Sequence, residues 1–273
     1  MPLVARWPEG THIDPGAAVT PIFAQIAPGI LAVIGTGFYI TRYGLVLTAK
    51  HVAACLQAPE AGRIRPSWTW HLPAAGQVVL RSVRAVTYDT RAPHHFPDLA
   101  VLQVDNFIDL EKQTALANPS LSLSTSIPPI GAPVATFAYP QNYELDLRSK
   151  GTPATMHADS YEGAFLEVVP ADDHSPLKYI HFRTSIDVRD GASGGPAFGP
   201  DGHVFAINCR GMTFIDGSHS STLVPATAFL QLVVGGALIP PWSAEYTAIP
   251  EHRRATNFTG RELVDLGHVK LVG

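Results

Sequence analysis

Charge is scarce in this sequence, and no part of it is strongly basic. Lys, Arg, Asp and Glu make up 15% of the 273 residues, the formal net charge is −4, and the isoelectric point is near 6.3. Proteins that bind nucleic acid usually carry a patch of Lys and Arg with interleaved aromatic side chains, and no such patch occurs here. The composition therefore argues against nucleic acid or another polyanion as a partner.

Cysteine is nearly absent, since Cys55 and Cys209 are the only two. A disulfide framework, which stabilises many small secreted domains, needs several paired cysteines. We therefore predict that both thiols are reduced and unpaired, and this favours the cytoplasm.

Long apolar runs and an N-terminal targeting signal are lacking as well. Met1–Pro8 contains no basic segment followed by an apolar core, so no signal peptide is predicted. The longest apolar run, Phe229–Pro241, is shorter than the roughly 20 residues that cross a bilayer, and Gly235 and Gly236 interrupt it. We expect a cytoplasmic protein with no membrane partner.

Glycine, proline and apolar residues are abundant. The sequence has 23 Gly, 24 Pro and 46% hydrophobic residues, which indicates a large core and frequent turns between short strands. Helical patterns are sparse. One covers Pro225–Val234, with proline at its start and glycines just beyond its end.

Three short segments contain residues that together could perform nucleophilic catalysis. Ser193 lies among glycines in Asp190–Pro196, His51 ends one apolar run, and Asp98 begins another. A serine hydroxyl needs a base to attack a carbonyl, a histidine can accept its proton, and a carboxylate orients the imidazole. The chain order His, Asp, Ser differs from the orders found in α/β-hydrolases and subtilisins.

The sequence around these residues resembles the chymotrypsin-like serine proteases, and most closely the bacterial Deg/HtrA-type enzymes, here without a PDZ domain. Six motifs in the family's order carry the resemblance: GTGF (35–38), GLVLTAKH (44–51), DLAVL (98–102), PIGAPV (129–134), GPDGHVFAIN (199–208) and LVPAT (223–227). The resemblance implies an all-β fold of two packed antiparallel six-stranded β-barrels with a short C-terminal helix and tail.

The same resemblance divides the chain into four parts: an N-terminal extended arm (1–20), a first β-barrel (21–120), a second β-barrel with the terminal helix (121–236), and a C-terminal extension (237–273). The extension either wraps the surface or binds a partner.

The resemblance implies that His51, Asp98 and Ser193 are catalytic and that the backbone N–H groups of Gly191 and Ser193 form the oxyanion hole. Trypsins that are activated by N-terminal cleavage have Asp directly before the nucleophile, where this sequence has Ala192. Zymogen activation of that kind is therefore not expected. If the activity is regulated, loop ordering, an activating partner or an oligomer is the expected means.

The specificity pocket is less clearly marked. The resemblance places Asp187 at the pocket floor and Asn208, Arg210 and Gly211 in its walls. A carboxylate in a poorly solvated slot would favour Arg or Lys before the scissile bond. Arg210, or the nearby Arg189, would instead neutralise Asp187 or select an acidic residue, and Deg-type enzymes often accept small aliphatic residues. All three specificities stay open.

The leading hypothesis is a serine endopeptidase that cleaves polypeptide substrates and needs no cofactor. The alternative is a catalytically inactive binding or scaffold protein on the same fold. An esterase is a third possibility, which the chain order and the missing α/β pattern disfavour. His94 and His95 lie beside Asp98, but no second ligand group stands at a metal-binding spacing, so we predict no metal site.

Overall fold

The computed structural model describes residues 5–6, 12–57, 64–74, 77–90, 96–105, 108–109, 114–115, 118–139, 144–148, 158–174, 177–213, 219–238 and 255–273. Most of these residues lie in β-strands, and the helices are short. No helix in these ranges is long and apolar enough to cross a membrane.

The first part of the chain forms a closed six-stranded barrel. Two short strands and a helix precede it: β1 (Ala5–Arg6), β2 (His12–Ile13) and α1 (Pro15–Ala18). The barrel strands are β3 (Val19–Ala27), β4 (Ile30–Tyr39), β5 (Leu45–Thr48), β6 (Ser67–Ala74), β7 (Gln77–Tyr88) and β8 (Ala100–Val104), with helix α2 (Lys50–Ala54) after β5. Antiparallel pairing orders them β4-β3-β6-β7-β8-β5, and β5 pairs with β4 to close the ring.

A second closed barrel follows a crossover that contains three short strands: β9 (Ile108–Asp109), β10 (Thr114–Ala115) and β11 (Leu123–Ser124). The barrel strands are β12 (Pro133–Ala138), β14 (Asp159–Val169), β15 (His181–Thr184), β16 (Pro196–Phe198), β17 (Val204–Thr213) and β18 (His219–Pro225). They pair in the order β16-β12-β14-β15-β18-β17, and β16 pairs with β17 to close the ring. Strand β13 (Glu144–Asp146) pairs instead with β4 of the first barrel.

Two closed six-stranded antiparallel barrels with few short helices constitute the chymotrypsin-like fold, so the predicted fold class is confirmed. The residues at 152–157, which the sequence suggests as a further strand, lie outside the described residues.

The helix predicted over Pro225–Val234 is shorter and tighter than expected. A 3-10 helix covers Ala226–Gln231, and Leu232 is already extended, with φ −77° and ψ 129°. Strand β19 (Val233–Leu238) then begins with two valines, which suit a strand better than a helix.

Beyond β19, the described part of the C-terminal extension contains three elements: β20 (Ala255–Thr259), α3 (Gly260–Asp265) and β21 (Leu271–Val272). Strand β20 pairs with β19, and β21 runs parallel to β11 at the margin of the second-barrel sheet. Thr259 and Glu262 form a capping box at the start of α3, which supplies partners to backbone N–H groups that a helix leaves unpaired. Strand β21 therefore extends the sheet of the second barrel, whereas β19 and β20 form a separate two-stranded sheet.

Each barrel is filled by its own apolar cluster. The first interior includes Ile22, Val46 and Leu102. The second includes Phe165 and Phe182, whose ring centroids lie 5.5 Å apart at a steep angle. A larger cluster joins side chains of both barrels with the C-terminal segment, so the two barrels pack against each other.

Candidate active site

His51 and Asp98 are neighbours because the strands that carry them pair. Thr48 at the end of β5 lies opposite Ala100 at the start of β8, so helix α2 and the residue before β8 meet at the same barrel end. His51 Nδ1 lies 2.7 Å from Asp98 Oδ2, and the His51 backbone N–H donates to Asp98 Oδ1 at 2.9 Å. The His51 side chain is 50% exposed, whereas that of Asp98 is 24% exposed. The carboxylate thus holds the Nδ1 edge of an imidazole that remains half exposed.

Ser193 lies in a compact turn between β15 and β16. Gly191 and Gly194 adopt φ +96° and +87°, a region that L-residues with a Cβ rarely adopt. The Gly194 and Gly195 amides donate to Asn208 O at 2.7 Å and Ala192 O at 3.0 Å. The positive φ angles of Gly191 and Gly194 therefore allow the sharp turn that contains the half-buried Ser193.

The Ser193 hydroxyl donates to the Cys209 carbonyl oxygen at 3.1 Å, and this is the hydrogen bond that the structure gives it, rather than one to His51. The pairing register of β17 with β18 shifts between Asn208 and Arg210, which makes Cys209 the extra residue of a β-bulge. Bulges commonly redirect groups beside active sites. The Cys209 thiol in turn lies 3.5 Å from the Asp98 carbonyl oxygen. Cys209 therefore contacts both Ser193 and Asp98.

Burial raises the pKa of the Cys209 thiol well above its ordinary value, and the charge of Asp98 adds to the effect. Burial also raises the pKa of the Tyr179 phenol, with smaller contributions from Cys209 and Asp98, while a hydrogen bond with the Asp98 backbone acts in the opposite direction. Both groups therefore stay neutral beside Asp98.

The amides of Gly191 and Ser193 do not donate a hydrogen bond to any residue in the described part of the chain. Their neighbours in the turn are bonded, because the Ala192 amide donates to Arg189 O at 3.1 Å and the Ser193 carbonyl accepts from Thr36 N at 2.9 Å. The turn therefore leaves the Gly191 and Ser193 amides without an acceptor among the described residues, and their role as an oxyanion hole stays a prediction.

Asp187 lies on the surface of the loop before Ser193. Its side chain is 59% exposed, and Oδ1 lies 3.2 Å from His219 Nδ1. The condition for a strong preference for Arg or Lys, a carboxylate in a poorly solvated slot, is therefore not met by Asp187. Arg189 is exposed as well and contributes with Asp187 to the electrostatic surroundings of Tyr161.

The three predicted wall residues differ from one another. Asn208 is fully buried, its side-chain amide donates to the Thr136 hydroxyl, and its Oδ1 has no partner among the described residues. Arg210 is exposed. Gly211 packs against the Val188 backbone so closely that an added Cβ would lie 2.9 Å from the Val188 carbonyl oxygen.

Cys55 and Cys209 are unpaired, which confirms the prediction from the cysteine count. No group of three or more His, Cys, Asp or Glu side chains that could hold a metal occurs in the described ranges. His94 and His95 lie outside those ranges.

Sequence reasoning missed the roles of Cys209, Tyr179 and Thr36 at this site. Thr36 belongs to the GTGF motif that carries the resemblance, but the sequence did not predict its contacts with the turn around Ser193. Cys209 and Tyr179 belong to the second barrel and reach Asp98 across the contact between the barrels, which no local pattern reveals.

The two-barrel fold, with an Asp–His pair on one barrel and a glycine-flanked serine on the other, defines a protein of the chymotrypsin-like class. The family model described as a trypsin-like peptidase domain matches residues 35–207, which is more than half of the chain, and the chain belongs to this family. No curated protein matches the sequence.

Solved structures share the fold at low sequence identity. Deg5 has a TM-score of 0.53 and 22% identity over 77% of this chain and 83% of its own. The Rv3671c protease from M. tuberculosis in its active form has a TM-score of 0.51 and 20% identity, over 94% of this chain and 84% of its own. The MamO protease domain from Magnetospirillum magneticum has a TM-score of 0.51 and 15% identity, over 77% of this chain and 93% of its own.

Proposed function

We propose that this trypsin-like peptidase domain is an active serine endopeptidase with Ser193 as nucleophile, His51 as general base and acid, and Asp98 as the group that orients His51. The observation that carries the proposal is the pair of hydrogen bonds from His51 to Asp98. They fix Nδ1 as the proton-bearing nitrogen when the ring is neutral, which leaves Nε2 to accept a proton.

In the proposed reaction, Ser193 Oγ attacks the carbonyl carbon of the scissile peptide bond and its proton passes to His51 Nε2. The protonated imidazole then gives that proton to the leaving amine, and an acyl-enzyme remains on Ser193. A water molecule, deprotonated by His51, hydrolyses the acyl-enzyme and regenerates the hydroxyl. Before attack, the Ser193 hydroxyl must turn from the Cys209 carbonyl towards His51; catalytic hydrogen bonds often align only when substrate is bound.

The carbonyl oxygen of the substrate acquires negative charge in the tetrahedral intermediate. The amides of Gly191 and Ser193, which have no acceptor among the described residues, are suited to stabilise that charge. Each such donor contributes roughly 10² to 10³ in turnover in enzymes where one has been removed. Polypeptides are the proposed substrates.

Covalent labelling by a fluorophosphonate probe tests the proposal, because the probe reacts only with an activated serine. We expect the wild-type protein to be labelled at Ser193 and the Ser193→Ala variant to take no label. Ser160→Ala, which changes an exposed strand serine, is the matched control and should be labelled at the wild-type rate.

Hydrolysis of a peptide blocked at both ends distinguishes an endopeptidase from an esterase, which would cleave only small activated esters. A folded wild-type protein that takes no label would overturn the proposal and favour an inactive binding protein on this fold.

A further inference from the structure

Thr36 is the point at which the first barrel, the second barrel and the nucleophile turn meet. Pairing of β4 with β5 ends at Gly37 opposite Thr48, so the backbone of Thr36 no longer has a partner strand on that side. Its N–H donates instead to the Ser193 carbonyl at 2.9 Å, and its carbonyl accepts from the Thr48 hydroxyl at 2.7 Å. Because the pairing of β4 with β5 ends before Thr36, the Thr36 backbone can bond the turn that contains Ser193.

The Thr36 side chain makes a second connection. Its hydroxyl donates to the Gly191 carbonyl oxygen at 2.7 Å and accepts from the Tyr139 backbone N–H at 2.9 Å. Thr36 is fully buried. Only a side chain that can donate and accept at one atom satisfies both backbone groups at this place, and serine and threonine are the small side chains that do so.

The bond to Gly191 sets the orientation of the peptide between Gly191 and Ala192. Because a trans peptide directs its carbonyl and N–H to opposite sides, anchoring the Gly191 carbonyl on Thr36 directs the Ala192 amide away from it, onto Arg189 O. Rotation of this peptide would also change the backbone dihedral angles of Gly191, and glycine offers little resistance to such a change. Without the anchor, the peptide between Gly191 and Ala192 could rotate, and the backbone at Gly191, whose amide is a proposed oxyanion donor, would lose one of its fixed contacts.

We infer that the Thr36 hydroxyl is a positioning group that holds the nucleophile turn with the Gly191 and Ser193 amides available for an oxyanion. Its catalytic consequence rests on the proposed function, whereas its effect on the geometry of the turn does not. The chain offers a close control in Thr20, which is also fully buried and whose hydroxyl accepts from Trp70 N and donates to Trp70 O, both at 2.8 Å, away from the turn.

The test compares Thr36→Val, Thr36→Ser and Thr20→Val by two measurements. Amide hydrogen exchange over residues 190–195 should be at least about tenfold faster in Thr36→Val than in the wild type, and unchanged in Thr20→Val and Thr36→Ser. The kcat for a peptide substrate should fall by about 10² to 10³ in Thr36→Val, as when one oxyanion donor is lost, with KM little changed. Thr36→Ser should keep kcat within a few-fold of the wild type.

Thr36→Ala removes the same hydroxyl with less crowding and should show the same changes if the valine variant does not fold. Wild-type exchange and kcat in a folded Thr36→Val or Thr36→Ala variant would overturn the inference, as would an equal effect of Thr20→Val. If the wild type takes no fluorophosphonate label, the proposed function fails and the exchange measurement still decides the role of Thr36.

Discussion

Replacement of Gly194 by alanine should cost far more stability than a change of one methyl group suggests. Gly194 has φ +87°, and a Cβ at this position would lie 2.1 Å from both the Thr36 carbonyl oxygen and the Thr48 hydroxyl, and 2.9 Å from the Ala49 amide nitrogen. Two of these three atoms are backbone, so no side-chain rotation relieves the contact. The turn would have to move away from the first barrel by about 1 Å or more.

The magnitude follows from two contributions. The left-handed backbone conformation costs a residue with a Cβ about 1–2 kcal/mol. Overpacking against a rigid neighbour adds typically 1–3 kcal/mol, and the contact here is at the severe end. We therefore expect Gly194→Ala to lower the free energy of unfolding by about 3–5 kcal/mol, a large part of the roughly 5–15 kcal/mol by which a folded domain is stable.

Gly131 provides the matched control, because it has φ +82° and a Cβ added there meets no atom within 4 Å. Gly131→Ala should lose only the backbone contribution, about 1–2 kcal/mol. Urea unfolding followed by tryptophan fluorescence measures both variants under the same conditions. Equal losses in the two alanine variants would refute the argument, because the contact at Gly194 would then contribute nothing.

Three further outcomes are expected. Asp98→Asn places an NH₂ group opposite His51 Nδ1, favours the wrong tautomer and should lower kcat by about 10⁴; a loss of less than tenfold would contradict the assigned role. Alkylation of the unreduced protein should modify exposed Cys55 quickly and buried Cys209 only after denaturation, and a disulfide-linked peptide pair would show that this is wrong. Asp187→Ser should change kcat/KM for substrates with Arg or Lys before the scissile bond by less than tenfold, because the carboxylate is exposed and exposed charges interact weakly; a larger fall would restore Asp187 as the specificity residue.

The motifs around His51, Asp98 and Ser193 could be recognised from the sequence because each depends on neighbouring residues. Glycines around Ser193 permit a turn with positive φ at Gly191 and Gly194, and apolar runs beside the histidine and the aspartate predict strand ends. Such local requirements appear directly as residue types.

Other features depended on pairing between distant segments. The register shift between Asn208 and Arg210 that turns the Cys209 carbonyl towards Ser193 arises from the pairing of β17 with β18. The exposure of Asp187 follows from the path of its loop, and the sequence alone allowed a buried position. The extended conformation from Leu232 onward follows from the pairing of β19 with β20.

The sequence by itself therefore determined the chain order of the three candidate catalytic residues and the glycines that permit the turn around Ser193, because these depend on residue types and local backbone preferences. The two-barrel class was implied by the resemblance to the chymotrypsin-like proteases. Only the tertiary structure decided which groups surround the candidate catalytic residues. Thr36 meets Gly191 across 155 positions of sequence, and Cys209 meets Asp98 across 111. Contacts over such separations are set by strand register and barrel closure, and one residue of register would direct a different side chain to the site.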